Sequence, residues 1–589
     1  MKAVLSIPRS KRVQRADSAL GASGAARPQP LAPGLRALAV SVGVLIGMLL
    51  GAGLSAAQAQ QAAGTSVTKP ETDVSRRCPP DGTSCLREWQ LPDLTSIGRT
   101  ELEALVLPWL GRSFSPTEQQ AVRKVVLGAL EARGLMLGGV AVRPIPGRSG
   151  AWLLQVVEPR LRRVEFTPGV AVPLSDAHVL AVLDGQGVAA GRLLDLRALD
   201  QAMYRLNDLP GVSASATLAP SGDEGVYDLL LERSLRKRVE GSIEADNYGS
   251  RFNGRHRLGG LVRVNEPFDI GDNFDARLLV SQGTGLVTGR LSYELPLAWR
   301  SSGGTSWDSG WRASAGWSSL RYELGDSLAD LQAHGQAQVV DLGLSRPLLR
   351  SRRANLIGRL GASHKRLQDR FDSFGLVVDK TSSDVSGALS FEARDDAAGG
   401  GYNGGMVALT AGRLRIQSPV EAANDLALGD RATQGHYVKL GLQASRLQAL
   451  PMFGAGWSFY AGMSAQWASR NLDSSEKFAL GGAQAVRSYA PGEAAADTGV
   501  ITTFELRHPI GARWSVFGLV DWGHARLQVD PLAGAENTRT LSARGLGVFF
   551  SDPELFTLRA VLAWRGASPS LAEPDSRSPR LNLQITRGF

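Results

Sequence analysis

VEGSIEAD, residues Val239 to Asp246, alternates without a break. Val239, Gly241, Ile243 and Ala245 fall on one side of an extended chain, and Glu240, Ser242, Glu244 and Asp246 on the other. Successive side chains of a strand point to opposite faces, so this octapeptide has one small, apolar face and one charged face. A membrane barrel turns such an apolar face to lipid and the charged face to a wet lumen. The same division recurs downstream, where Leu291, Tyr293 and Leu295 alternate with Arg290, Ser292 and Glu294. At the end of the chain Leu581, Leu583, Ile585 and Phe589 alternate with Asn582, Gln584, Thr586 and Gly588. Between these stretches lie short strands and frequent turns with little helical periodicity. Residues 236–589 are therefore expected to form a transmembrane β-barrel. About 353 residues give roughly 22 per strand for about 16 antiparallel strands, enough for strands of about 10 residues plus loops. Aromatic residues make up only 6% of the chain, so the interfacial girdles should be thin.

Upstream of the barrel the texture is mixed. Ser115-Pro116-Thr117-Glu118 supplies a helix cap, a first-turn proline and a capping-box glutamate. Val122, Val125, Val126, Ala129 and Leu130 follow at helical spacing, and Gly134 can end the helix. Gly138 to Pro144 and Ala151 to Glu158 then read as a hairpin. The pattern repeats: a strand at Leu161 to Phe166, helices capped by Ser175 and Asp195, then strands at Val212 to Leu218 and Gly225 to Glu232. Two similar α+β modules in tandem are expected, over 87–158 and 159–235.

The N-terminus is read as a targeting segment. Basic residues precede the apolar run Ala37 to Leu54, which ends at Ala57-Gln58-Ala59, so residues 1–59 have the layout of a signal peptide. That segment holds seven Lys/Arg and one Asp, and without it the net charge falls from +9 to +3. The basic balance is thus partly a targeting feature, and no basic stripe interleaved with aromatics suggests nucleic-acid binding. Residues 60–86 are rich in Ala, Gly, Thr and Pro and read as a linker that could act as a plug segment. Both cysteines, Cys78 and Cys85, lie there. In an exported chain they are expected to form a disulfide, whose small ring stabilises by roughly 2.5 kcal/mol.

The most distinctive segment runs from Gln466 to Pro509: QWASRNLDSSEKFALGGAQAVRSYAPGEAAADTGVITTFELRHP. Its Asn471–Glu476 block, Phe478-Ala479-Leu480-Gly481-Gly482, Val486-Arg487-Ser488-Tyr489, Asp497, Gly499 and Glu505-Leu506-Arg507-His508-Pro509 resemble the two-partner-secretion transporters (the TpsB, ShlB/FhaC-type family), barrels preceded by periplasmic POTRA domains. The Pro108-Trp109-Leu110-Gly111-Arg112 run and the Asp246-Asn247-Tyr248-Gly249-Ser250-Arg251 barrel entry are similar to the same family. One position departs: Ser488 stands where the family pattern has glycine, which is compatible with the loop if φ is negative. A chain ending on an aromatic, Phe589, also resembles the C-terminal assembly signature of outer-membrane proteins.

The resemblance implies an outer-membrane pore of a Gram-negative bacterium that secretes a large cognate exoprotein without ATP. Its POTRA modules would receive that TpsA-like partner by β-augmentation, and the barrel-assembly machinery, periplasmic chaperones and the lipid bilayer are its other expected partners. A loop folded into a lumen needs an anchor, and a guanidinium offers donors in a fork that matches a carboxylate. The resemblance points to Arg487, with Asp521 in Phe517-Gly518-Leu519-Val520-Asp521-Trp522-Gly523 as partner, and alternation turns Asp521 and Gly523 to one face. The expected lumen lock is therefore Val486, Arg487, Ser488, Tyr489, Asp521 and Gly523. A barrel-assembly factor of the same superfamily is the second reading, disfavoured by the short periplasmic region. A third is enzymatic: Gly325-Asp326-Ser327-Leu328 matches a GDSL esterase block, and Asp521 with His524 could complete a triad with Ser327. Barrel-like alternation around these residues argues against it, so no enzyme, cofactor or metal site is expected.

Overall fold

The computed structural model describes residues 85–589, except 168–173, 298, 302–303, 307–309, 428–432, 532–533 and 535. The expected signal peptide, Cys78 and the plug segment lie outside the described residues. Cys85 is engaged in a disulfide. The ordered module begins earlier than the expected linker end at 86, because Leu86 is fully buried and Cys85 bridges to Ser113.

The first module contains β1 (Glu88–Gln90), α1 (Arg99–Val106), α2 (Pro116–Glu131), β2 (Gly139–Pro144) and β3 (Ala151–Val157). Its sheet runs β1-β3-β2, with β1 parallel to β3. The Ser115 Oγ accepts the Glu118 N–H and starts α2, and Glu118 accepts the Trp109 indole N–H at 2.7 Å. The second module repeats the plan with β4 (Arg160–Phe166), α3 (Asp176–Gly185), α4 (Leu196–Asp208), β5 (Val212–Pro220) and β6 (Val226–Leu235). Its sheet runs β4-β6-β5, with β4 parallel to β6. Each module closes over its own apolar core, Leu102, Val126, Leu130 and Leu154 in the first and Leu161, Leu183, Leu206 and Leu229 in the second.

The barrel opens with β7 (Val239–Asp246), β8 (Arg257–Asn265), β9 (Asn273–Ser281) and β10 (Leu286–Pro296). A small hairpin, β11 (Trp299–Ser301) and β12 (Gly304–Ser306), follows outside the wall. Next come β13 (Arg312–Glu323), β14 (Ala333–Arg350), β15 (Ala354–Phe371), β16 (Leu376–Asp395) and β17 (Gly401–Ile416). A helix, α5 (Pro419–Ala427), leads to β18 (Gly435–Ala449) and β19 (Ser458–Ala468). Two short strands, β20 (Phe478–Ala479) and β21 (Ala495–Ala496), pair inside the next loop. The wall ends with β22 (Thr498–Ile510), β23 (Trp514–Arg526), β24 (Thr538–Ser551), β25 (Thr557–Arg565) and β26 (Arg580–Gly588). Sixteen antiparallel strands close when β26 pairs with β7, the expected architecture. Closure leaves no unpaired edge, which is what a strand-built wall in lipid requires. No helix among the described residues is long and apolar enough to cross a membrane.

The alternation read from the sequence holds in three dimensions. Val239, Ile243, Leu258 and Leu278 stand outward and exposed. Asp246 and Arg257 pair inward at 2.8 Å, as do Arg263 and Asp275 at 2.7 Å. The second module docks on the end of the wall from which β7 rises. The Arg350 guanidinium donates to both Asp208 oxygens at 2.9 and 2.7 Å, and Gln201 donates to the Arg350 carbonyl at 2.6 Å.

Candidate functional site

The loop joining β19 to β22, residues 469–497, does not extend away from the barrel. It folds back, pairs β20 with β21, and buries Leu480, Val486, Tyr489, Ala494 and Ala496 against Ile501, Ala525, Leu541 and Ala543 of the inner wall. The wall makes room with a glycine. A Cβ on Gly523 would lie 2.9 Å from Leu480 Cδ1 and 3.1 Å from Val486 Cγ2.

Arg487 sits at the tip of this fold and is 4% exposed. Its Nε and Nη2 donate to the two oxygens of Asp521 at 2.8 and 2.6 Å, and its backbone N–H reaches the same carboxylate at 3.2 Å. The remaining Nη1 donates to Glu505 at 2.5 Å. Glu505 in turn receives Arg507 at 2.6 Å and Arg559 at 3.1 Å. Thr503 donates its hydroxyl to Asp521 at 2.9 Å, and Asn582 on the last strand donates to the Arg487 carbonyl at 2.9 Å. Asp521 and Glu505 are 0% and 2% exposed. Two buried carboxylates thus face three guanidiniums, and Arg487 is held by three strands, β22, β23 and β26. Removing one member of a buried pair strands its partner at a cost of about 3–5 kcal/mol.

The base of the loop is anchored separately. Asp473 takes Lys380 at 2.8 Å, Glu476 takes Lys439 at 2.6 Å and also Lys365, and Asp497 takes Lys477 at 2.5 Å. Gln466 donates to the carbonyls of Glu476 and Asp497 at 3.1 and 3.2 Å. At the far shoulder Glu493 accepts Arg539 at 2.9 Å and the Leu571 N–H at 2.7 Å. The Tyr489 hydroxyl donates to the Ser568 carbonyl at 2.8 Å.

All six residues of the expected lock meet here. Ser488 has no positive φ, so the serine sits in the loop without left-handed strain. Its Oγ is buried and finds no hydrogen-bond partner among the described residues. The reading from sequence gave no role to Glu505, Arg559, or the lysines Lys365, Lys380 and Lys439. Alternation could have turned each lysine inward, but their partners lie some 37 to 111 residues away along the chain.

Beneath the lock lies a polar cavity of about 980 Å³. Arg487, Glu505 and Arg559 line it at one end, and Asp208 and Arg350, where α4 docks on the wall, line it at the other. The enzymatic alternative is not assembled. Ser327 lies in the β13–β14 loop, where Arg251 donates to its Oγ at 3.3 Å. Asp521 is buried on the inner face of β23, whereas His524 stands on its outer face beside Trp522. No cluster of metal-ligating side chains occurs among the described residues.

Comparison with known proteins places this architecture. Residues 225–548 match the family model described as haemolysin secretion/activation protein ShlB/FhaC/HecB. The heme/hemopexin transporter protein HuxB of Haemophilus influenzae is 25% identical over 62% of this chain. The outer membrane transporter CdiB of Escherichia coli is 24% identical over 73% of it. The chain spans 63% of the length of that HuxB relative and 69% of that CdiB sequence. The solved structure of CdiB from Escherichia coli superposes with a TM-score of 0.67 at 18% identity, covering 95% of this chain and 99% of the other.

Proposed function

The chain belongs to the ShlB/FhaC/HecB family of haemolysin secretion/activation proteins, and from that premise we propose that it is the translocation pore of a two-partner (type V) secretion pathway. The barrel sits in the outer membrane with its two POTRA-type modules in the periplasm, so the end of the wall that α4 touches is the periplasmic mouth. In this reading the modules take the N-terminal region of one cognate exoprotein, a TpsA-like partner. The edge of β5, beside α4, is where an extended segment could add to the sheet, beyond Ala214, whose backbone N–H and carbonyl are held by the Asn207 amide. The segment passes unfolded into the cavity, and the inward loop must leave its place before the chain can go through. With no ATP outside the inner membrane, folding of the partner at the cell surface supplies the drive. The barrel-assembly machinery and periplasmic chaperones insert the protein, with Phe589 as the assembly signal.

The observation that carries this reading is the Arg487 clamp. A buried guanidinium held by two carboxylates of the wall, above a cavity that reaches the modules, suits a gate better than a static lining. The test replaces Arg487 with alanine and assays export of a candidate cognate exoprotein. The barrel is expected to insert and to keep heat-modifiable migration, while export is lost. Normal export by a variant present at wild-type level would remove the lock from the mechanism.

A further inference from the structure

The wall is uneven. Strands β14 to β17 run 18, 18, 20 and 16 residues, well beyond the roughly 9 to 11 that cross the hydrocarbon. On their periplasmic side the outward positions are apolar, among them Leu342, Leu360, Leu389 and Leu409, all exposed. The change comes at the rung that joins Val340, His364, Ser383, Arg413 and His436. From there toward the cell exterior the outward face is polar and basic.

Four outward arginines stand in this zone, Arg366 and Arg370 on β15 and Arg413 and Arg415 on β17, and the three nearest the apolar belt are Arg366, Arg413 and Arg415. Their neighbours along each strand settle which way they point. Lys365 turns inward to Glu476, and Leu414 is 1% exposed inside the wall, so alternation sends Arg366, Arg413 and Arg415 outward, where all three are exposed. The register sets Arg366 opposite Thr381, and Thr381 opposite Arg415. The backbones of Arg366 and Arg415 therefore flank one residue of β16, two strand spacings or about 10 Å apart. None of the three pairs with an acid among the described residues. The carboxylate of Asp379, one outward position beyond Thr381, is taken by the Gln368 amide at 2.7 Å.

These three arginines share one arc, while further outward arginines stand singly at Arg321 on β13, Arg526 on β23 and Arg544 on β24. Strands β15 to β17 are seventh to ninth around a wall of sixteen, opposite the seam where β26 meets β7. On the seam side the outward residues at the same end are Ala245, Leu258, Val280 and Leu581. Exposed guanidiniums directly above a lipid-facing apolar belt stand at the level of the headgroups, and the fork of an arginine suits a phosphate oxygen pair.

We propose that Arg366, Arg413 and Arg415 form a binding site for the phosphates of lipopolysaccharide in the outer leaflet, with the acyl chains lying on the apolar belt below. The site would hold the long side of the barrel in that leaflet while leaving the short-stranded seam unanchored. The inference needs only the outer-membrane location and stands apart from the transport reading.

Full-length protein, stripped of native lipid by detergent exchange, would be titrated with bisphosphorylated lipid A, with its dephosphorylated form and with phosphatidylglycerol, binding being read by native mass spectrometry. Wild type should bind the bisphosphorylated form about tenfold or more tighter than either other lipid. Arg366→Gln/Arg413→Gln/Arg415→Gln should lose that preference, and the matching triple lysine variant should keep part of it. Equal binding of dephosphorylated lipid A or of phosphatidylglycerol by wild type would overturn the assignment, as would an unchanged preference in the glutamine variant. Heat-modifiable migration checks that each variant is folded, and the wild-type comparison decides the matter even if the glutamine variant is not.

Discussion

Arg487 engages three of its nitrogens and its own amide with two carboxylates, which a lysine could not reproduce. The site could be anticipated in part because Asp521 lies in a strand whose alternation turns it inward. Glu505 and Arg559 escaped notice because their meeting depends on the inward curve of the wall from β22 to β25, which brings together positions 54 residues apart. Two substitutions probe the packing around the clamp. Gly523→Val forces a branched side chain into Leu480 and Val486 and should destabilise the folded loop by about 1–3 kcal/mol. The folded band on a semi-native gel should then convert at lower temperature, and an unchanged conversion would show that the loop does not rest on β23. Ser488→Ala removes a buried hydroxyl that has no partner among the described residues, so the conversion temperature should hold or rise. A clear fall would mean that the hydroxyl is satisfied.

Within the two modules, helices that announce themselves with a polar cap were legible and the uncapped one was not. Ser115, Ser175 and Asp195 each accept a backbone N–H at the start of the predicted helices. Helix α1 went unread because its cap position is Gly98, with no side chain to bond, and it spans only 8 residues. The periplasmic turn between β8 and β9 carries a further device. Glu266 is fully buried there and accepts the Gly271 N–H at 2.8 Å. Burial first, with Asp272 and Asp269 adding to it, pushes its carboxyl up to about 7. A carboxyl raised in the folded state favours folding while protonated. The turn is thus most stable below about pH 4.5 and loses on the order of 3 kcal/mol as pH climbs past 7. Glu266→Gln should flatten this loss, so the gap in unfolding temperature between variant and wild type should widen from pH 5 to pH 8. A constant gap would mean that the carboxyl is already ionised at the lower pH.

For the molecule as a whole, the barrel was legible because period-two alternation persists over some 350 residues, and chain length alone set the strand number near sixteen. What length could not reveal is the unevenness of the wall, with 8 residues in β7 against 20 in β16, or the depth to which one loop returns into the lumen. Those features arise from strand pairing across the closed ring, where Lys365, Lys380 and Lys439 meet acids of a distant loop. A pore obstructed by its own loop and held shut by one buried guanidinium is the central proposal. Ion conductance of the purified protein in planar lipid bilayers measures this directly, wild type against Arg487→Ala. Small, intermittent currents in wild type and larger, longer openings in the variant are predicted. Identical conductance in the two proteins would contradict a loop held in the lumen by Arg487.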